Sequence, residues 1–355
     1  MQYLYRSLLI TLFSGIIAIS SFAQIGGNST FSFLARTNSA RVASMGGNIL
    51  AINDNDISLV LTNPSLITAE MNNTMALDFV SLRTAYSYGD IMYSKSFSKV
   101  GNFVGTFQFI NYGKFTYADI AGNTSGDFNA GEYALNIGWG RTLNPHFSIG
   151  ANGKVIYSQL ESYHSFGLAV DVAGLYHTAD DIFSASLVAR NIGIQLVSYY
   201  PGSHDALPFE LQAGIATKLR HIPVGFSVLY NNLEKWDLTY NDPLSPDNQV
   251  DPITGQTKKK SDIGQIADKL MRHIVIGTEI TIAKAFSIRL GYNYRTRQEM
   301  KLTDRTALSG FTYGFGLRIK MFTLSYARAT LMAGNFNPNY FSLALNLGQF
   351  TKKKE

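Results

Sequence analysis

The chain has 355 residues and a formal charge of +5, with 13% aromatic, only 15% charged and no cysteine residues. The lack of cysteine excludes disulfides, thiolate metal sites, a cysteine nucleophile and a lipid-modified cysteine anchor. The positive charge is scattered rather than gathered into a stripe, which excludes a nucleic-acid binder built on one basic face.

Residues 1–23 have the pattern of a secretory signal. Arg6 supplies the positive start, Leu8–Ile19 is an apolar run too short to span a bilayer comfortably, and Ser21-Phe22-Ala23 fits a small-x-small cleavage site. The competing reading is an uncleaved anchor. Residues 24–72 do not alternate. Ser39–Gly47 is small and flexible in composition, Asn53-Asp54-Asn55-Asp56 is turn-like, and Leu59–Pro64 is a short run stopped by proline. Ahead of a barrel wall, such a segment is expected to fold inward as a hatch that plugs the lumen. The alternative is an arm packed on the outside.

From residue 73 to 350 the chain alternates with a period of two. The stretch Glu132–Thr178 is the clearest case: Tyr133, Leu135, Ile137 and Trp139 share one face, and Ala134, Asn136, Gly138 and Gly140 the other. Alternation alone fits a soluble sandwich or a membrane barrel. Fourteen strand candidates fall near 73–82, 86–97, 102–112, 131–142, 146–159, 164–177, 182–195, 208–219, 223–233, 271–283, 286–297, 309–320, 322–331 and 340–350. The even-numbered links, such as Asn144-Pro145 and Lys284-Ala285, are tight. The odd-numbered ones include 113–130, 196–207, 234–270, 298–308 and 332–339, and are mostly long. Loop length sorted by parity, with an even strand count, is the outer-membrane arrangement with long loops outside the cell. The expected fold is therefore all-β: a 14-stranded antiparallel transmembrane β-barrel with an N-terminal hatch, in contact with outer-membrane lipid. The last strand is expected to reach the aromatic Phe350, followed by a short basic tail at 351–355.

Residues able to carry chemistry are few. Histidines at 146, 164, 177, 204, 221 and 273 show no ligand spacing. Asp54, Asp56 and Ser58 mimic the start of a calcium loop, but Leu59 stands where that loop needs glycine. Ser96-Phe97-Ser98-Lys99 matches a Ser-x-x-Lys pattern but falls at a hairpin turn rather than a helix start. The reading is thus no enzyme, with no catalytic, cofactor-binding or metal residues and no cofactor. Lys154, Asp171, Glu210, Glu279, Arg289 and Arg295 lie on the polar phase of their strands. A cation at the lipid midplane costs roughly 2–4 kcal/mol, so they are expected to face the lumen, paired with each other or with the hatch. The loop Tyr240–Asp268 reads either as a solvated loop or as a docking surface.

Several strings carry a family likeness: Ser39-Ala40-Arg41, Met45-Gly46-Gly47-Asn48, Asn63-Pro64, Ile110–Gly113, Glu132–Asn136, Tyr157–Tyr163, Leu207–Glu210, Trp236–Tyr240, Lys269–His273, Leu290–Arg295 and Arg297–Met300. In these the chain resembles the PorQ family, an outer-membrane component of the type IX secretion system of Bacteroidetes, related to PorV and FadL-like barrels. The resemblance implies an outer-membrane protein that anchors or assembles a cell-surface attachment complex. Its implied partners are a PorZ-like surface protein and the PorU–PorV machinery, with no nucleic acid. The alternative is a FadL-like transporter of hydrophobic small molecules, which requires an apolar pocket and a movable hatch.

Overall fold

The computed structural model describes residues 29–82, 86–239, 262–283, 285–300, 308–330 and 337–351. The expected signal at 1–23, most of the loop Tyr240–Asp268 and the tail beyond Thr351 lie outside the described residues.

Fourteen strands form one closed antiparallel barrel. They are β1 (Thr74–Ser81), β2 (Ser87–Phe97), β3 (Gly101–Ala118), β4 (Thr124–Asn144), β5 (Phe147–Leu160), β6 (Tyr163–His177) and β7 (Phe183–Val197). The other half is β8 (Glu210–Lys218), β9 (Val224–Tyr230), β10 (Ile274–Ile282), β11 (Phe286–Asn293), β12 (Phe311–Ile319), β13 (Phe322–Ala329) and β14 (Asn339–Asn346). Each strand pairs with its sequence neighbours, and β1 closes on β14 with Thr74 opposite Asn346 and Ser81 opposite Asn339. Full closure leaves no strand edge unpaired, which is what allows strands to sit in lipid.

The period-two pattern decides which face goes where. Leu135, Ile137, Val155, Leu168, Val170, Leu187 and Leu290 all point outward and are exposed, whereas Asn136, Asn152, Lys154, Asp171 and Arg289 are buried in the lumen. A continuous apolar belt of this kind on a water-soluble surface would drive aggregation. On a closed barrel it is the lipid face. Trp139 lies outward on β4 and donates its indole N–H to the Val100 carbonyl at 2.9 Å.

The structure departs from the sequence expectation at three wall positions. Residues 113–130 are not a long loop, because β3 and β4 run on as a hairpin whose turn is 119–123. Phe115 stacks on Phe128 at 5.2 Å, Tyr117 meets Phe128 at 4.8 Å, and Lys114 pairs with Asp127 at 2.8 Å. Cross-strand pairs of this kind extend a ladder without any aliphatic residue. Strand β11 stops at Asn293, and Tyr294–Met300 is helical, so Arg295 is not on a strand. Asn293 Oδ1 accepts the Thr296 amide at 3.1 Å and caps that helix. Strand β14 stops at Asn346, and Gly348–Thr351 forms a helical turn instead of carrying the strand to Phe350.

The expected hatch is inside the barrel. Ser29 bridges to Ala206 in the long β7–β8 connection, so the described chain starts at the loop end. It then descends through a short helix α1 (Ala40–Ser44) and three-residue helical turns at Ile57–Leu59, Pro64–Leu66 and Ala69–Met71, and enters β1 at the end with the tight turns. Phe31, Leu34, Val42, Met45, Ile49, Leu50, Ile57, Leu59 and Ile67 are all buried, packed against inward-facing wall residues such as Ile110, Ile156, Leu175 and Val188. The core of this protein is therefore the seam between hatch and wall.

Candidate functional site

Helix α1 begins at Ser39, whose side chain accepts from the Val42 amide. It is only five residues long, and its role is to aim Arg41 at the wall. The Arg41 guanidinium is buried and donates to Asp54 at 3.0 Å, to Asp56 at 2.8 Å and to Glu279 of β10 at 3.0 Å. Glu279 also accepts from Arg289 of β11 at 2.8 Å, and Arg289 reaches Ser325 of β13 at 3.1 Å. Asp54 and Asp56 are thus ligands of an arginine, and Ser58 is tied to Asp56 at 2.8 Å, which leaves the calcium-loop mimicry without a structural counterpart.

A second buried pair lies across the lumen. Lys154 meets Asp171 at 2.7 Å and donates to Asn191 at 2.8 Å, while the Asn191 amide donates to Asp171 at 2.7 Å. Arg190 donates to the Leu34 carbonyl of the hatch at 3.1 Å and lies 3.7 Å from Glu210. Of the six charges that sequence placed on the polar phase, five face the lumen in such pairs. The sixth, Arg295, pairs with Glu299 at 2.7 Å on its helix.

Backbone turns are fixed as firmly. Asn63 is fully buried, and its side-chain amide donates to the Leu50 carbonyl and to Ser186 of β7, while its oxygen accepts from the Ser65 amide and hydroxyl. Every valence of that amide is used. Below it the wall is carved to fit. A Cβ on Gly140 would sit 2.6 Å from Ile67, one on Gly167 2.6 Å from Phe31 and one on Gly314 2.7 Å from Ser44, and Gly150 lies directly beneath Pro64. These strand glycines make room for the hatch. Gly153, which points outward, meets nothing within 4 Å.

Sequence reading passed over two residues: Asp78 and Asp90. They sit opposite each other on β1 and β2, both wholly buried, and the row continues to Ser342 on β14 and Gln108 on β3. The lumen-facing phase of β1, Ala76-Asp78-Val80, was visible in the alternation and could have marked Asp78. The histidines are dispersed. His273 is buried, stacked on Tyr230 at 4.6 Å, with its ring nitrogens 2.7 and 3.1 Å from the carbonyls of Asn231 and Trp236. Among the described residues no group of three His, Asp or Glu side chains is placed to hold a metal. Ser96 and Phe97 end β2, with Lys99 in the following turn, so no helix joins Ser96 to Lys99.

Between hatch and wall at the tight-turn end lies a cavity of about 210 Å³. Ile52 of the hatch and Ile182, Ala216, Leu219, Ile222 and Val224 of the wall give it an aliphatic lining, and Arg41, Asp54 and Glu279 form its polar edge. Its rim is the β6–β7 and β8–β9 turns, where Asn53 of the hatch donates to Asp181 at 3.2 Å.

No protein-family model matches the chain, and no curated protein matches it. Among solved structures the chain is similar to the toluene transporter TodX of Pseudomonas putida, with 11% identity, a TM-score of 0.47, and coverage of 87% of this chain and 96% of that one. It is also similar to the monoaromatic hydrocarbon channel CymD (11% identity, TM-score 0.45, 89% and 97% covered) and to a FadL homologue of Pseudomonas aeruginosa (10% identity, TM-score 0.46, 87% and 98% covered). The expectation of a type IX secretion component is set aside: no family model supports the PorQ resemblance, and the solved structures that the chain is similar to are a transporter, a channel and a FadL homologue. The physical reason three of the short strings misled is visible in the fold. Ser39–Arg41, Met45–Gly47 and Asn63-Pro64 are hatch-seating residues, and they describe how a plug is held rather than what the barrel serves.

Proposed function

We propose that the chain is an outer-membrane barrel that admits hydrophobic small molecules, with the 29–73 segment as its gate and the long connections facing outward from the cell. The observation that carries this reading is the aliphatic cavity at the seam of hatch and wall. Transport of an apolar solute needs a lined pocket that touches a part able to move. The 210 Å³ cavity is smaller than the roughly 300–1,000 Å³ of drug-sized sites, so it suits a small solute. The hatch contributes Ile52 and Asn53 directly to that cavity, and the Arg41 cluster closes one side of it. A shift of the hatch would therefore change the cavity and the seal together.

The test is uptake of radiolabelled toluene by cells carrying the full chain in the outer membrane, compared with vector alone and with labelled glucose as a polar control. Faster toluene uptake, reduced by Ala216→Trp, which fills the cavity, is the expected result. Toluene uptake equal to vector, in cells whose barrel is shown to be folded, overturns the reading.

A further inference from the structure

The ten-residue helix α2 (Asp262–Met271) closes the connection between β9 and β10. At about 100° per residue its side chains divide into two faces. Ile263, Ile266 and Leu270 share one face, Asp268 and Arg272 lie on the other, and Lys269 stands on the flank. The polar side is the one that is bound to the barrel. Asp268 accepts from the Tyr294 hydroxyl, the first residue past β11, at 2.8 Å and from Arg272 Nε at 2.9 Å, and Lys269 pairs with Asp237 at 2.7 Å. The apolar side is turned away from those bonds: Ile263 is 81% exposed, Ile266 57% and Leu270 40%. A helix resting on a barrel in water does the reverse, burying its apolar stripe and showing its charges.

The position of the helix decides what covers that face. Val228 and Ile276 stand opposite each other on β9 and β10, both exposed on the lipid-facing phase, and Tyr230 opposite Ile274 is the next rung toward the loop end. Met271 is three residues from Ile274, a reach of at most about 11 Å, so the helix ends close to the top of the lipid belt. Aromatic rings mark the level. Tyr230 stacks on His273 at 4.6 Å, and His273 in turn stacks at 6.2 Å on Trp236, which is exposed. Tryptophan and tyrosine at the margin of a lipid belt sit at the headgroups. Asp237, which holds Lys269, directly follows Trp236, so α2 is fastened at that same level. We propose that α2 is an interfacial helix, with Ile263, Ile266 and Leu270 seated among the headgroups and upper acyl chains of the lipid at the loop end of the barrel. Its apolar face continues the lipid belt past the last rung of β9 and β10, and its polar face is satisfied by the barrel. Held from both sides, it fixes the depth of the β9–β10 rim in the bilayer, whatever solute the barrel carries.

The chain has no native cysteine, so a single nitroxide label can be placed by one substitution. Full-length Ile263→Cys and Ile266→Cys are labelled, refolded into phosphatidylcholine vesicles and checked for heat-modifiable mobility. Power-saturation electron paramagnetic resonance then reads collision with oxygen and with a water-soluble nickel chelate. Leu135→Cys on the lipid face is the lipid reference, and Ile120→Cys, wholly exposed in the β3–β4 turn, is the water reference. The expected result is an oxygen-to-nickel ratio at both helix positions several-fold above that at 120 and shifted toward that at 135. A ratio equal to that at 120 overturns the proposal, because the face then meets water. Low collision with both reagents overturns it as well, because a protein surface, from a second copy or from this chain, then covers the helix.

Discussion

Arg41 is the residue on which the seat of the hatch turns. Replacing it with methionine leaves Asp54, Asp56 and Glu279 facing one another around Arg289 alone. Breaking a buried pair by removing one partner costs about 3–5 kcal/mol. The expected outcome for Arg41→Met is a lowered unfolding midpoint and raised single-channel conductance in planar bilayers. Arg41→Lys keeps the charge but loses the fork that spans three carboxylates, so it should fall between the two. The glycine footprint gives a matched pair of variants. Gly150→Val drives a branched side chain into Pro64 and should cost about 1–3 kcal/mol by overpacking. Gly153→Val, three residues along the same strand but facing outward, should be tolerated, and comparing the two midpoints checks the assignment.

At the scale of elements, the described ends of the β9–β10 connection are tied to each other. The helix α2 (Asp262–Met271), in the β9–β10 connection, is tied to residues 231–239 by Lys269 and Asp237 at 2.7 Å. Burial alone would raise the Asp237 pKa. The Lys269 ammonium and the Thr239 donors outweigh it and hold the carboxyl at about 2. The folded value lies below the usual aspartate value of about 3.9, so the contribution of this tie is complete above that value. It is lost as pH falls toward 2. Amide exchange at 262–271 should therefore accelerate across that window, with the wall unchanged. His273 supports the same connection from below, and His273→Phe keeps the Tyr230 stack but removes the ring N–H that one of the carbonyls of Asn231 and Trp236 accepts. Leaving that carbonyl without its donor costs up to about 1–3 kcal/mol, and protease cleavage near residue 236 should quicken while the barrel stays heat-modifiable. The β3–β4 hairpin shows where sequence reading fell short. Its upper part is Lys114, Thr116, Asp127 and aromatics, with no aliphatic face, and its pairing depends on partners in the other strand. That information is tertiary. Tyr294–Met300 was misread for the opposite reason: it continues the strand pattern by composition, and its Asn293 cap competes with the ladder.

For the whole molecule, the wall was legible because lipid imposes one rule on every strand. Leu135, Ile137 and Val155 must alternate with small or polar residues once the outside is apolar, so strand number and order followed from periodicity. The hatch was legible only as the absence of that rhythm. Where its residues land depends on glycines such as Gly140 and Gly167, and nothing in a single strand announces what fills the space above them. Function was less legible again, since three of the strings that suggested a secretion role describe hatch seating and the others lie in wall strands and their connections. If the hatch is as integral as its packing indicates, a chain deleted for 29–72 should yield no heat-modifiable band on refolding. Its loss strips partners from Glu279, Arg190 and Ile156 at once.

The described part of the hatch starts near Ala206 at one end of the cylinder and leaves into β1 at the other. The seam that closes the cylinder joins β1 to β14, the two ends of the wall sequence. A hatch tethered in this way cannot be slid in afterwards without threading a free end through a finished ring. The order of assembly follows: the hatch must lie in the groove of a still-open sheet, and the pairing of Thr74 with Asn346 must come last. That final step joins the most distant residues of the sheet, and long-range closure of this kind is slow. Biogenesis of this barrel is then a wrapping reaction around its own N-terminal segment, and its rate should depend on how readily that segment nests before the ring shuts.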